Sequence, residues 1–322
     1  MSKDRPRVSI GMPVYNGENF LKEALDSILA QTFDDFELII SDNASTDRTE
    51  EICREYAAKD QRIRYYRNEQ NLGGAGNHNR VFELSNGEYF KWAHHDDLCA
   101  PEFLKRCVEE LDRRPSVVVS YSKAVIIDEQ GSHVAKLPKD LDLNSPKPNE
   151  RFRRYHDCFR SLSRGELRWW LWNPQSGVIR ASALKMTPLM GKYISSDTIL
   201  LEELALLGEF SEVPEYLFFR REHPQGSIYA NPTPEQRFLW FNPMKKGRLL
   251  FPQWRLFLER FIVINRVQMS WDEKLRCYVE MGRYFRWKWK NLVKELMINF
   301  ARFLNIDPMN LWGIKKYVSP GW

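Results

Sequence analysis

The sequence predicts an α/β protein, a doubly wound and mostly parallel sheet followed by a C-terminal helical extension. Short apolar runs alternate with segments of helical period through the first 128 residues, and near Trp240 the composition turns basic and aromatic. Size agrees with this. A chain of 322 residues with 43% hydrophobic and 28% charged residues has room for one large domain or two, and is neither disordered nor a disulfide-stapled peptide.

Val8 to Met12 is a strand-length run closed by Pro13-Val14-Tyr15-Asn16-Gly17, which is turn chemistry. Phe20, Leu21, Ala24, Leu25, Ile28 and Leu29 then recur on one helical face. Phe36 to Ile40 gives a second strand, ending at Ser41-Asp42-Asn43. Asp47 and Glu50 stand at capping-box spacing before a helix through Ile52, Cys53, Tyr56 and Ala57. The strand Ile63 to Arg67, a loop from Asn71 to Asn77, a short helix to Leu84 and the strand Glu88 to Ala93 continue the alternation. A helix opens at Pro101, and two runs, Val117 to Tyr121 and Ala124 to Ile127, end the regular part. The polar stretch Asp128 to Arg168 reads as an irregular insertion close to a binding cleft.

Residues 241–322 hold 16 Lys and Arg against 6 Asp and Glu, while the whole chain carries only +5, so the basic excess is C-terminal. This divides the chain into an α/β domain over residues 1–240 and a helical extension over 241–322. Two helices are expected there, one around Trp254 to Ile264 and one from a Ser270–Glu273 capping box through Leu304. In the second, Arg283, Arg286, Lys288, Lys290 and Lys294 surround Trp287, Trp289, Leu292 and Leu296. Two readings stand: peripheral contact with an anionic membrane, or a subdomain packed on the sheet with its cations solvated. No helix-turn-helix, finger or ribonucleoprotein signature points to nucleic acid. Five scattered cysteines without a C-x-x-C pair, a charged start and no run of about 18 apolar residues predict a cytoplasmic protein, at most peripheral at the inner face of a membrane.

In an open parallel sheet, ligands sit outside the carboxyl ends of the strands, where successive loops converge. That edge collects Tyr15 and Asn16, then Asp42 and Asn43, then His94, His95, Asp96 and Asp97. A carboxylate at a strand end also serves as a turn or cap. Adjacent Asp96 and Asp97 repel unless a cation is near, so a divalent metal with a bound diphosphate is one reading and a helix-capping turn the other. Gly73-Gly74-Ala75-Gly76 lacks the spacing of a dinucleotide fingerprint but suits a close approach to phosphate or a tight turn.

Val8-Ser9-Ile10-Gly11-Met12-Pro13-Val14-Tyr15-Asn16, Ser41-Asp42-Asn43-Ala44-Ser45-Thr46-Asp47 and the aspartate pair together resemble the family 2 glycosyltransferases. The resemblance is strong from Val8 to about Asp128 and looser from Asn173 to Ser227. It implies the glycosyltransferase A-type fold and an inverting transferase with a nucleotide-diphosphate sugar as donor and a glycan or lipid-linked acceptor. It places Pro13, Tyr15, Asp42, Asn71, Arg80 and Asp96 around the nucleotide sugar, with Asp42 accepting from the base. The family's D-x-D metal motif falls on His94-His95-Asp96, so His94 replaces the first carboxylate. Mn²⁺ or Mg²⁺ is then expected on Asp96 and Asp97, with His223 either completing the shell or structural. Arg221 resembles a cation that neutralises the leaving diphosphate. Asp197, before the apolar helix Ile199 to Leu207, matches the family's catalytic base or serves as an ordinary N-cap, with Glu202 and Glu203 in reserve. Trp169, Trp170 and Trp172 stack on acceptor sugars or pack in a core. A sugar-nucleotide-binding component without catalysis is the rival reading, supported by His94. A nucleotidyltransferase is disfavoured because no glycine-rich, cationic loop follows the first strand.

Overall fold

The computed structural model describes residues 5–136, 141–161, 173–244 and 250–304. Its strands are β1 (Val8–Val14), β2 (Phe36–Asp42), β3 (Ile63–Arg67), β4 (Tyr89–Trp92), β5 (Leu98–Cys99), β6 (Val117–Ile127), β7 (His133–Lys136), β8 (Val178–Arg180) and β9 (Glu209–Arg221). Helices α1 (Leu21–Leu29), α2 (Thr49–Lys59), α3 (Gly73–Glu83) and α4 (Phe103–Arg113) cover the first half. Then come α5 (Pro148–Ser161), α6 (Ala181–Leu184), α7 (Ser196–Leu207), α8 (Ser227–Ala230) and α9 (Pro234–Phe241). Finally α10 (Pro252–Arg266) and α11 (Trp271–Phe303) form the C-terminal pair.

The strands make one sheet in the order β3-β2-β1-β4-β8-β6-β9-β5, with β7 on β6. The expected parallel winding holds for β3, β2, β1 and β4. Every residue of β1 and β2 is buried, Ser9, Glu37, Ser41 and Asp42 among them, as central strands of a parallel sheet are when helices cover both faces. In the second half the sheet is mixed. β8 lies antiparallel between β4 and β6, while β6 and β9 run parallel. The two runs expected at 117–127 are one strand, whose register with β9 shifts around Ser122 and Lys123. Nor is 128–168 irregular throughout: it holds β7 and the 14-residue α5, whose Phe152 and Tyr155 are fully buried. The charged residues of α5 mask those two apolar anchors in a composition reading. Trp169, Trp170 and Trp172 lie outside the described residues.

The glycines at 73–76, expected in a loop, form the first turn of α3. Their small size is required by α9, which lies across position 240. A Cβ on Gly74 would stand 2.5 Å from the Trp240 ring, and one on Gly73, where φ is +77°, would stand 2.6 Å from the Phe241 carbonyl oxygen. Gly73→Ala is therefore expected to cost about 1–3 kcal/mol in a denaturant melt. An unchanged midpoint would mean that α9 does not rest on α3.

The helical extension is built into the fold through a second core. Phe152 of α5 and Ile199 of α7 join Leu256, Val263, Cys277 and Met281 of α10 and α11. Within it, Arg260 Nη2 donates to Glu202 Oε1 at 2.7 Å, and both side chains are buried. Arg266 pairs with Glu203 at 2.8 Å. The reserve candidates Glu202 and Glu203 thus tie α7 to α10, away from the strand ends. The Ser270 capping box forms as expected, with the hydroxyl accepting from the Glu273 amide.

Candidate functional site

Parallel register brings the expected loops together. Val14 of β1 stands beside Asp42 of β2, and Gly11 beside Trp92 of β4, so residues 15–17, 43–45 and 93–97 leave the sheet at one edge. Short polar links then fix the loops to each other. The Asn16 carbonyl oxygen Oδ1 accepts from the Thr46 amide at 2.8 Å, and the Gly17 amide donates to Thr49 Oγ1 at 2.8 Å. His95 packs on Gly17, where a Cβ would meet the imidazole at 2.7 Å. Pro13 is buried within β1, and Tyr15 stands exposed at the mouth.

Beneath the mouth lies a network of asparagines. Asn43 Nδ2 donates to Asn71 Oδ1 at 2.9 Å, and Asn68 Nδ2 donates to both Asn43 and Asn77. Asn71 Oδ1 also accepts from the Gly73 amide at 2.8 Å, orienting the start of α3. Buried amides satisfied in this way rigidify a crevice floor. Arg80 is half-buried on α3, and its Nε is enclosed without a hydrogen-bond partner.

Asp42 departs from the expected role. Its carboxylate is fully buried and accepts from the Ser45 amide at 2.8 Å, Tyr65 Oη at 2.8 Å and Arg67 Nη1 at 2.7 Å. With both oxygens engaged, it holds the β2 loop rather than offering an acceptor to a base.

The metal trio expected from Asp96, Asp97 and His223 also resolves differently, into two pairs. Asp96 Oδ2 lies 3.0 Å from His223 Nε2. Asp97 Oδ2 accepts from His94 Nδ1 at 3.0 Å, and its Oδ1 accepts from the Arg221 amide at 2.9 Å. Asp97 is thus turned into the protein, and His94, in the place of a carboxylate, is its hydrogen-bond donor. Among the described residues no three His, Cys, Asp or Glu side chains are grouped to hold a metal ion. Burial by itself would raise the Asp96 pKa, but His95, then His223 and His94, hold it well below the usual carboxylate range.

Arg221 is the clearest correction. Its side chain is wholly buried, and the guanidinium lies over the Phe20 ring. Nε donates to the Asp96 carbonyl at 3.0 Å, Nη1 to the Glu129 carbonyl at 2.8 Å, and Nη2 to Glu23 at 2.6 Å. It pins the metal-motif loop to α1 and to the end of β6, with each of its three nitrogens on a protein oxygen. The neighbouring Arg220 lines the crevice with His94, Asp96 and His223.

Asp197 is not the N-cap of α7. Ser195 occupies that position at φ +61° without a capping hydrogen bond, and Asp197 sits in the first turn with Oδ1 enclosed and unpartnered. Burial raises its pKa above the usual 3.8, against the amides of the first turn, Arg220 and His94. Those last two opponents belong to the crevice. Sequence reasoning missed His78, whose ring lies 6.1 Å from that of His94 and 6.5 Å from that of Trp240. Its Nδ1 donates to the Gly74 carbonyl at 2.8 Å, and burial, with His94 beside it, lowers its pKa to about 4. Three of the six histidines, His94, His95 and His223, act on Asp96, and His78 adjoins them through His94, a clustering that the spacing of His78 in the chain does not reveal.

Residues 9–164 match the model of a family described as glycosyl transferase family 2. This segment belongs to that family. The chain is 35% identical over 131 residues to an uncharacterized glycosyltransferase of Methanocaldococcus jannaschii, covering 40% of this chain and 45% of that one. It is 35% identical over 133 residues to the putative glycosyltransferase EpsE of Bacillus subtilis, covering 41% of this chain and 48% of that one. The chain thus spans less than half the length of these relatives. Staphylococcus aureus TarS 1–349 in complex with UDP superposes with a TM-score of 0.60 at 18% identity, covering 87% of this chain and 72% of that one. The mannosyltransferase PcManGT of Pyrobaculum calidifontis, in complex with GDP-Man and Mn²⁺, gives a TM-score of 0.51 at 15% identity over 97% of this chain and 89% of that one. These two likenesses show a glycosyltransferase A-type fold carrying the family 2 segment.

Proposed function

We propose that the chain is an inverting glycosyltransferase that moves a sugar from a nucleotide-diphosphate donor to a hydroxyl of a glycan or lipid-linked acceptor. The observation that carries this reading is Asp197: a carboxylate with an unpartnered buried oxygen, raised in pKa, electrostatically in reach of Arg220 and His94, which line the crevice. A carboxylate that served only to hold the first-turn amides would not leave an oxygen enclosed without a partner. Family membership and the nucleotide complexes of the structural neighbours support the donor class.

Asp197 takes the proton from the acceptor hydroxyl as that oxygen attacks the anomeric carbon. The bond from carbon to the diphosphate oxygen breaks on the opposite face, which inverts the configuration. Arg220 stands where it stabilises the charge gathering on the diphosphate. Tyr15 at the mouth and Asn71 at the crevice floor border the nucleoside, with Arg80 two turns along α3. Of the expected metal ligands, Asp96 and His223 fit a divalent ion, being a converging oxygen and nitrogen on the crevice wall, while Asp97 does not. Bound there, Mn²⁺ or Mg²⁺ would offset diphosphate charge.

The direct test is a thermal-shift panel of UDP- and GDP-sugars with and without Mn²⁺, followed by product analysis with glycan and lipid-linked hydroxyls. A donor that raises the melting temperature and yields an inverted product is expected. Binding without transfer to any hydroxyl would favour the non-catalytic component. Asp96→Asn is expected to remove the Mn²⁺-dependent part of the shift and leave the metal-independent part; an unchanged Mn²⁺ response would move the ion elsewhere.

A further inference from the structure

The outer face of α11 is apolar where no described residue covers it. Trp271, Leu275, Val279, Trp289, Val293, Leu296, Phe300 and Phe303 are all exposed, from 42% for Val293 to 81% for Trp271. Their spacing, with Gly282 and Arg286 filling the intermediate turns, repeats every three or four residues, so they form one stripe of roughly 120° along a helix about 50 Å long. The inward face is a separate set: Cys277, Met281, Tyr284 and Leu292 are buried against α5, α7 and α10. Leu292, expected with the surface aromatics, belongs to this inner set. A soluble helix needs one apolar face, and α11 has two.

Charge identifies what the second face meets. Between residues 283 and 294 the helix carries Arg283, Arg286, Lys288, Lys290 and Lys294 and no carboxylate. Arg286, Lys290 and Lys294 are exposed and form no ion pair with the described residues. Lys290 lies 5.9 Å from the centre of the Trp289 ring. We propose that α11 lies flat on an anionic phospholipid bilayer, with the Trp271–Phe303 stripe in the headgroup boundary and these cations on lipid phosphates. A second copy fits less well. The cationic stretch sits at the middle of the helix, so symmetric pairing along the stripe, parallel or antiparallel, sets it against itself. No helix among the described residues is long and apolar enough to cross the membrane.

The full chain, without donor or acceptor, is sedimented with vesicles of phosphatidylglycerol and phosphatidylcholine and with phosphatidylcholine alone. Binding to the anionic vesicles is expected to be stronger by roughly tenfold or more, with a blue shift of tryptophan emission. Phe300→Glu and the double change Lys290→Glu with Lys294→Glu should each weaken it roughly tenfold or more. Both act on exposed positions, and an unchanged melting temperature confirms folding. Equal binding to both vesicle types, or to neither, overturns the proposal. So does a stable dimer in light scattering that Phe300→Glu dissociates, which would give the stripe to a second copy. None of these arms uses the sugar-nucleotide crevice, so the transferase reading stands or falls separately.

Discussion

Asp197→Asn is expected to reduce kcat by about 10²- to 10⁴-fold, the usual worth of a general base. Donor affinity should be unchanged, because the change removes a proton acceptor and leaves the diphosphate contacts alone. The stability readout moves the other way. The folded-state pKa is raised, so below 3.8 the carboxyl is neutral in both states and contributes nothing. As pH climbs through the raised folded value, the unfolded chain gives up its proton more readily, and the folded state is penalised. At neutral pH the neutral amide escapes that penalty, and the melting temperature should hold or rise. Lower activity with equal or greater stability is the mark of a group retained for chemistry at a structural cost. The wild-type kcat should also fall on acidification, at a pH above that of an ordinary aspartate. A variant that melts earlier with kcat intact would return Asp197 to a structural role.

Much of this arrangement is legible in the chain, and what is not shares a cause. β1, β2 and β4 are predominantly apolar, broken by Ser9, Glu37 and Lys91, with polar residues at their carboxyl ends, and parallel pairing turns that pattern into one polar edge. Residue type and order suffice there. They do not say where a long side chain points. Arg221 and Arg220 are adjacent in sequence and both border the crevice, yet the Arg221 side chain is wholly buried under Phe20 while Arg220 is half-buried. Asp96 and Asp97 are likewise split, one toward His223 and the other toward His94. Strand alternation turns Arg220 and Arg221 of β9 to opposite sides, while Asp96 and Asp97 lie in the link into β5, whose pairing with the end of β9 joins residues about 120 apart in sequence. For α5 and the start of α3 the obstacle is different. In α5 the charged residues hide its two buried apolar anchors, and in α3 the glycines lower local helix propensity; packing against α7 and α11 in one and α9 in the other decides the structure.

Arg221→Met is the substitution that separates the two possible uses of this cation. The side-chain volume is roughly kept, but the donors vanish. The carbonyls of Asp96, Asp128 and Glu129 lose their partner, and since these residues are half-buried or exposed, each lost bond costs about 0.5–1.5 kcal/mol. Glu23 adds little, since its side chain is 59% exposed and water replaces the lost partner. A loss of about 2–4 kcal/mol is therefore expected in a denaturant melt. The loop holding Asp96 would loosen with it, so Mn²⁺-dependent donor binding should weaken as well. Arg221→Lys should recover only part of the stability, because a single ammonium cannot span acceptors set around a planar fork. Were Arg221 instead a clamp on the leaving diphosphate, the methionine variant would melt normally and show only impaired donor use. That outcome would require the guanidinium to swing out from beneath Phe20, exchanging three backbone carbonyls and a carboxylate for one ligand.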